Sequence, residues 1–176
     1  MEYRAFENMP ARNTLQARIE IPLLVRSLRL PGGGSLLEVG CGRGIAIPEF
    51  ARRLKPERIV GLDSDQSLLD IATEQLARAG VAATLINADV RTIPMDDVSI
   101  DLVIDFGTCY HIEEPEKALR EIRRVLKPGG LFVHETRASQ LLAHPVRSFG
   151  RSIPWEVIPD VVPERRAGLW TARRKS

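Results

Sequence analysis

Leu36-Leu37-Glu38-Val39-Gly40-Cys41-Gly42-Arg43-Gly44 reads as an apolar strand running directly into three glycines spaced two apart. Glycines at that spacing let the main chain turn sharply and leave bare backbone for a ligand to lie against, where a Cβ would clash. A helical pattern follows, with Ile47, Phe50, Ala51 and Leu54 on one face. The next apolar run, Ile59-Val60-Gly61-Leu62, ends on Asp63. A carboxylate about 20 residues beyond a glycine-rich strand–helix turn is where α/β nucleotide folds hold ribose hydroxyls. Together these features imply a cofactor of the adenosine type.

Spacing narrows the choice. A dinucleotide fold shows G-x-G-x-x-G, because a pyrophosphate needs room at the helix N-terminus. Here the third glycine, Gly44, comes one residue early and position 45 is Ile. The tighter G-x-G-x-G, with Glu38 just ahead of it, resembles motif I of the class I S-adenosylmethionine-dependent methyltransferases. Further blocks follow in the family's order. Asp63 stands where the family has its ribose-binding acid, and Asn87-Ala88-Asp89-Val90 resembles the adenine-side motif. Ser99-Ile100-Asp101-Leu102-Val103-Ile104-Asp105-Phe106 is similar to the fourth strand and its exit. The segment from Glu116 to Gly130, ending Leu126-Lys127-Pro128-Gly129-Gly130, resembles the helix-and-turn block of the quinone-biosynthesis-type branch. The likeness covers residues 35 to 136.

The resemblance implies a three-layer Rossmann-like sandwich: a mostly parallel seven-stranded sheet of order 3-2-1-4-5-7-6 with helices on both faces. It implies S-adenosyl-L-methionine as cofactor and assigns the site. Gly40, Cys41, Gly42 and Gly44 lie against the cofactor, with Glu38 beneath its methionine end. Asp63, with Ser64 beside it, takes the ribose, Asp89 and Val90 flank the adenine, and Asp105 and Phe106 line the methyl-transfer end. His111, in the loop after the fourth strand, is the candidate general base, since imidazole titrates near neutrality.

Plainer readings stand beside these. Glu38 could cap the loop or pair with Arg43, Asp63 could be a turn residue, and Asp89 a surface acid. Asp105 departs from the small polar residue common in this branch and could be structural. His111 could only pack its loop, and Cys41 and Cys109 suit space-filling better than reactivity.

The residues themselves support the alternation of strand and helix. Leu68, Leu69, Ala72 and Leu76 form a second helical face, and Leu119, Ile122, Val125 and Leu126 a third. Strands alternating with helices imply right-handed βαβ units in a largely parallel sheet. The 176 residues fit a single domain. Residues 1–34 form a helical preface, 35–136 the cofactor-binding core, and 137–176 a C-terminal helix with a short antiparallel strand pair. In the preface, Leu15, Ile19 and Leu23 repeat at helical spacing, and Pro22 is expected to break the run into two short helices. Tyr3, Phe6 and these helices are expected to fold over the site as a lid. In the C-terminal part, Ala138 to Phe149 is the expected helix. Trp155-Glu156-Val157-Ile158 and Gly168-Leu169-Trp170-Thr171-Ala172 are the expected strands.

Composition excludes several classes. No uncharged apolar run approaches the ~20 residues that span a bilayer. The start, Met1-Glu2-Tyr3-Arg4, has no signal-peptide character. The two cysteines show neither a disulfide framework nor metal-ligand spacing, which fits a reducing cytoplasm. A net charge of +2 does not argue for nucleic acid, although Arg137 to Ser176 carries eight basic residues against three acids. That segment reads as a solvated tail or, alternatively, as a patch attracting an anionic substrate or RNA.

The expected activity is methyl transfer to a small-molecule acceptor by in-line displacement. A second copy of the chain is a candidate partner that could close an uncapped site. The alternatives are a non-catalytic methyltransferase-fold subunit, a methyltransferase acting on RNA or protein, and a nicotinamide-dependent oxidoreductase, which the early third glycine disfavours.

Overall fold

The computed structural model describes residues 10–136 and 152–176. Seven strands form one mixed sheet in the order β3-β2-β1-β4-β5-β7-β6. The parallel part comprises β1 (Ser35–Val39), β2 (Arg58–Asp63), β3 (Thr84–Asn87), β4 (Ile100–Asp105) and β5 (Leu126–Glu135). β7 (Trp170–Lys175) runs antiparallel to β5, and β6 (Val161–Ala167) antiparallel to β7. This is the sheet expected from the sequence. The central strands read as continuous apolar runs because helices cover both faces.

One face carries α2 (Ile21–Ser27), α3 (Ile47–Leu54) and α4 (Gln66–Ala79), whose Leu24, Phe50 and Leu69 pack onto Leu36, Leu102 and Ile104. The other carries α6 (Pro115–Val125), whose Leu119, Ile122 and Val125 pack onto Val103 and Phe132. Local chemistry sets the helix ends. Asp65 caps α4 by accepting the Ser67 N–H at 2.8 Å, and Gly80 closes it in the left-handed conformation. Pro115 occupies the first turn of α6, where no N–H is required.

The strands also pack closely around Gly61. A Cβ there would lie 2.9 Å from Cys41 Sγ, Ile47 Cδ1 and Leu85 Cδ2. Overpacking of this kind costs about 1–3 kcal/mol. Gly61→Ala should therefore lower the thermal midpoint by several degrees, readable by circular dichroism.

Three expectations need correction. Pro22 does not divide the preface into separate helices. Instead α1 (Pro10–Leu15) continues through a π-helical turn, Gln16–Glu20, into α2. The wider turn bonds Ile21 N–H to Gln16 O, and Pro22, which lacks an N–H, falls in the first turn of α2. Leu15, Ile19 and Leu23 lie on the outer side, while Ile21, Leu24 and Leu28 are buried.

The first C-terminal strand is not Trp155–Ile158, where the chain makes a short 3-10 turn, Trp155–Val157. The strand is Val161–Ala167, and it tolerates Pro163 because β6 is the sheet edge and its register shifts between Pro163 and Arg165. The expected helix from Ala138 to Phe149 and the lid residues Tyr3 and Phe6 lie outside the described residues.

Nor is the basic C-terminus a solvated tail. It is strand β7, with Arg173 and Lys175 both 8 % exposed. The Arg173 guanidinium stacks 3.7 Å from the Trp155 ring centre and donates to His134 Nε2 at 3.2 Å and to the Val161 carbonyl at 3.1 Å. Burial pushes Arg173 down to about 10 and His134 down to about 4, so the imidazole is a neutral acceptor. Lys175 Nζ donates to the Leu126 and Arg123 carbonyls at 2.6 and 2.8 Å, and Arg174 pairs with Glu164. Arg173 and Lys175 are thus spent inside the fold, and Arg174 in a surface pair.

Candidate active site

Open α/β sheets bind ligands outside the carboxyl ends of their strands, where the strand order reverses. Here that point lies between β1 and β4, and a cavity of about 470 Å³ opens there. Such a volume falls within the range of small-molecule and cofactor sites. Its wall includes Glu38, Gly40, Cys41 and Gly42 from the end of β1, Asp63 and Ser64 after β2, Asp89 and Val90 after β3, and Phe106 and His111 after β4. Ten of the twelve site residues singled out in the sequence are thus brought together. Gly44 and Asp105 are not in that wall.

The loop is built by contacts that only glycine permits. Gly40 has φ +65°, and a Cβ on it would stand 1.9 Å from Thr108 Oγ1. That hydroxyl donates to the Val39 carbonyl at 3.2 Å, fastening the turn after β4 onto the end of β1. Gly44, with φ +70°, faces Ala72 of α4, so its role is to let the loop turn against that helix.

Asp63 is held ready. Its Oδ2 accepts the Gly42 N–H at 2.8 Å and its Oδ1 accepts the Asp65 N–H at 3.0 Å. A carboxylate has about four lone-pair sites, so each oxygen keeps capacity for a hydroxyl donor. The glycine loop and the acid behind it form a single unit. On the neighbouring strand β1, Glu38 is 3 % exposed and its Oε2 has no hydrogen-bond partner. Burial, with Asp63 and Asp105 adding negative charge, raises its pKa to about 8. A buried carboxylate oxygen without a donor is costly, and a cation brought into the site would relieve that cost.

Asp105 turns away from the cavity. It is 2 % exposed and accepts the Thr108 N–H at 2.6 Å and the Cys109 N–H at 3.2 Å, capping the short helix α5 (Thr108–His111). The plainer reading of this residue is the one its contacts support. Burial raises its pKa and that of Cys109, while Cys41 is raised by burial and by Glu38, so both thiols are poor nucleophiles. Asp89 reaches the cavity but accepts from Arg91 Nε with both oxygens, at 2.9 and 3.0 Å.

Other wall residues carried no local signal. Thr108 and Ile112 follow from adjacency: with β4 beside β1, any residue just after β4 meets the glycine loop. Arg91 enters the wall through its pairing with Asp89, which nothing in the sequence signalled. Asn13 and Gln16 arrive from the N-terminal helix, whose path depends on the π-turn.

A family model described as a methyltransferase domain matches residues 37–134. The chain belongs to this family, within the class I S-adenosylmethionine-dependent methyltransferases. An uncharacterised methyltransferase of Bacillus subtilis is 28% identical over 131 residues, covering 73% of this chain and 71% of its own length. The phthiotriol/phenolphthiotriol dimycocerosates methyltransferase of Mycobacterium tuberculosis is 32% identical over 101 residues, 57% of this chain and 37% of that protein. A Streptomyces fradiae relative is likewise covered over only 34% of its length. Among solved structures, an S-adenosylmethionine-dependent methyltransferase fold from Methanococcus maripaludis superposes with TM-score 0.76 at 19% identity, covering 100% of this chain and 95% of that one. S-adenosylmethionine is the cofactor of this methyltransferase family, and the cavity suits it on two counts. The Gly40–Gly42 backbone offers a cradle, and the orphaned Glu38 oxygen awaits a positive group.

Proposed function

We propose that this methyltransferase transfers the methyl group of S-adenosylmethionine to a small-molecule acceptor in the cytoplasm. The observation that carries the proposal is the Gly42–Asp63 bond, which holds the Asp63 carboxylate beside the glycine cradle with an oxygen able to accept ribose hydroxyls. The cofactor supplies an activated methyl on a sulfonium sulfur, so the protein's share is grip and alignment. Alignment of that kind can be worth about 7–11 kcal/mol of barrier.

In this reading the Gly40–Gly42 backbone and Asp63 hold the nucleoside, and Leu68 and Val90 line its apolar surround. Glu38 balances positive charge at the opposite end. His111, at the acceptor side of the wall, would take the proton released by an oxygen or nitrogen acceptor. Burial of Arg173 and Lys175 in β7 leaves the C-terminal strand few free cations for a phosphate backbone, which favours a small acceptor over RNA. The named substrate of the mycobacterial relative is also not a nucleic acid. No described helix is long and apolar enough to cross a membrane.

The test is transfer of labelled methyl from S-adenosylmethionine across a panel of phenolic, amine and carboxylic acceptors. Label in at least one small acceptor, and none in tRNA or bulk protein, is the expected result. Label confined to RNA or protein would overturn the acceptor class.

A further inference from the structure

Gln16 opens the π-turn of the N-terminal helix, lies more than nine-tenths buried, and lines the same cavity. Its side-chain amide makes no hydrogen bond among the described residues. An amide offers two donors and an acceptor, and in the cavity wall these are open to a ligand. π-turns occur often at functional sites, because the extra residue re-aims one side chain while the helix continues. Here the turn keeps Ile21 and Leu24 in the core and presents Gln16, with Asn13 one turn before it, to the cavity.

Packing fixes the end of the cavity that Gln16 faces. α2 lies against α3, where Ile21 and Leu24 share a cluster with Ile47 and Phe50. Phe50 stacks with Phe106, 6.2 Å between ring centres, and Phe106 is in the cavity wall. The helix therefore enters the cavity beside α3 and Phe106. We propose that Gln16 is a binding residue for the amino-acid end of the cofactor, its amide N–H groups donating to the α-carboxylate while Glu38 faces the ammonium. This rests on the reading of the cavity as an S-adenosylmethionine site.

Two ligands separate the possibilities: S-adenosylhomocysteine, which carries the amino-acid end, and 5′-methylthioadenosine, which lacks it. By calorimetry, Gln16→Ala and the similarly sized Gln16→Met should each weaken S-adenosylhomocysteine about tenfold, equivalent to about 1.4 kcal/mol. Both should leave 5′-methylthioadenosine within twofold. Unchanged affinity for S-adenosylhomocysteine in Gln16→Met, or equal loss of both ligands, overturns the assignment while leaving the cofactor reading intact. Failure of the unmodified protein to bind either ligand overturns both.

Discussion

Asp63→Ala is expected to reduce affinity for S-adenosylhomocysteine by a hundredfold or more, on the order of 3 kcal/mol. Two effects combine. Hydrogen bonds from neutral hydroxyls to a carboxylate are charge-assisted and worth about 1.5–3 kcal/mol each. The substitution also strands the Gly42 N–H, which now donates to Asp63 Oδ2 at 2.8 Å, so the loop loses its internal anchor. Asp63→Asn separates the two. Its side-chain oxygen can keep the Gly42 bond, while its NH2 puts a donor where Oδ1 accepted the Asp65 N–H and would accept a ribose hydroxyl. Calorimetry should therefore rank wild type above Asp63→Asn and Asp63→Asn above Asp63→Ala. Affinity in Asp63→Ala within twofold of wild type would remove this residue from the cofactor site.

The second large effect is a pH dependence set by Glu38. Its carboxyl is held at about 8, against an ordinary value of 4.5. Between those values the unfolded chain has lost this proton and the native chain retains it. Native stability from this group is thus present below pH 4.5 and declines as pH rises towards 8, with a slope of up to about 1.4 kcal/mol per pH unit. Binding follows the opposite sign. A cationic ligand favours the ionised carboxylate, so affinity should climb roughly tenfold per unit up to pH 8 and then level off. Near pH 7, binding should release close to one proton, measurable as a buffer-dependent enthalpy. Glu38→Gln should bind more weakly, lose the proton release and, without ligand, gain stability at pH 8–9. A wild-type affinity flat from pH 6 to 8 would show that Glu38 does not face the positive end of the cofactor.

These two residues also show how far the sequence could be read. The place of Asp63 beside the glycine loop was legible because it rests on local order: an apolar strand, then an acid, at a set distance past the glycines. Gly40 and Gly44 were legible as turn-formers, but not their reasons, since Thr108 and Ala72 lie far away in sequence and meet them only in the sheet order β2-β1-β4. Asp105 was ambiguous because a carboxylate at a strand exit can face a ligand or cap the next turn, and only the Thr108 and Cys109 amides decide between these.

The C-terminal misreading had a different cause. Arg173-Arg174-Lys175 carries an exposed-tail composition, yet β7 buries alternate residues against Trp155, His134 and main-chain carbonyls. Charge buried through a stacking partner and several acceptors leaves no periodic apolar trace. Gln16 was silent for a similar reason, since a π-turn changes which residue faces inward without changing composition.

The central assertion is that the glycine cradle and Asp63 jointly hold the nucleoside of S-adenosylmethionine. A crystal structure with S-adenosylhomocysteine bound tests it most directly. Both ribose hydroxyls should lie within hydrogen-bond distance of the Asp63 carboxylate, with the Gly40–Gly42 backbone against the ligand and Glu38 at its amino-acid end. A nucleoside bound elsewhere, or an Asp63 carboxylate turned away from the sugar, would contradict it.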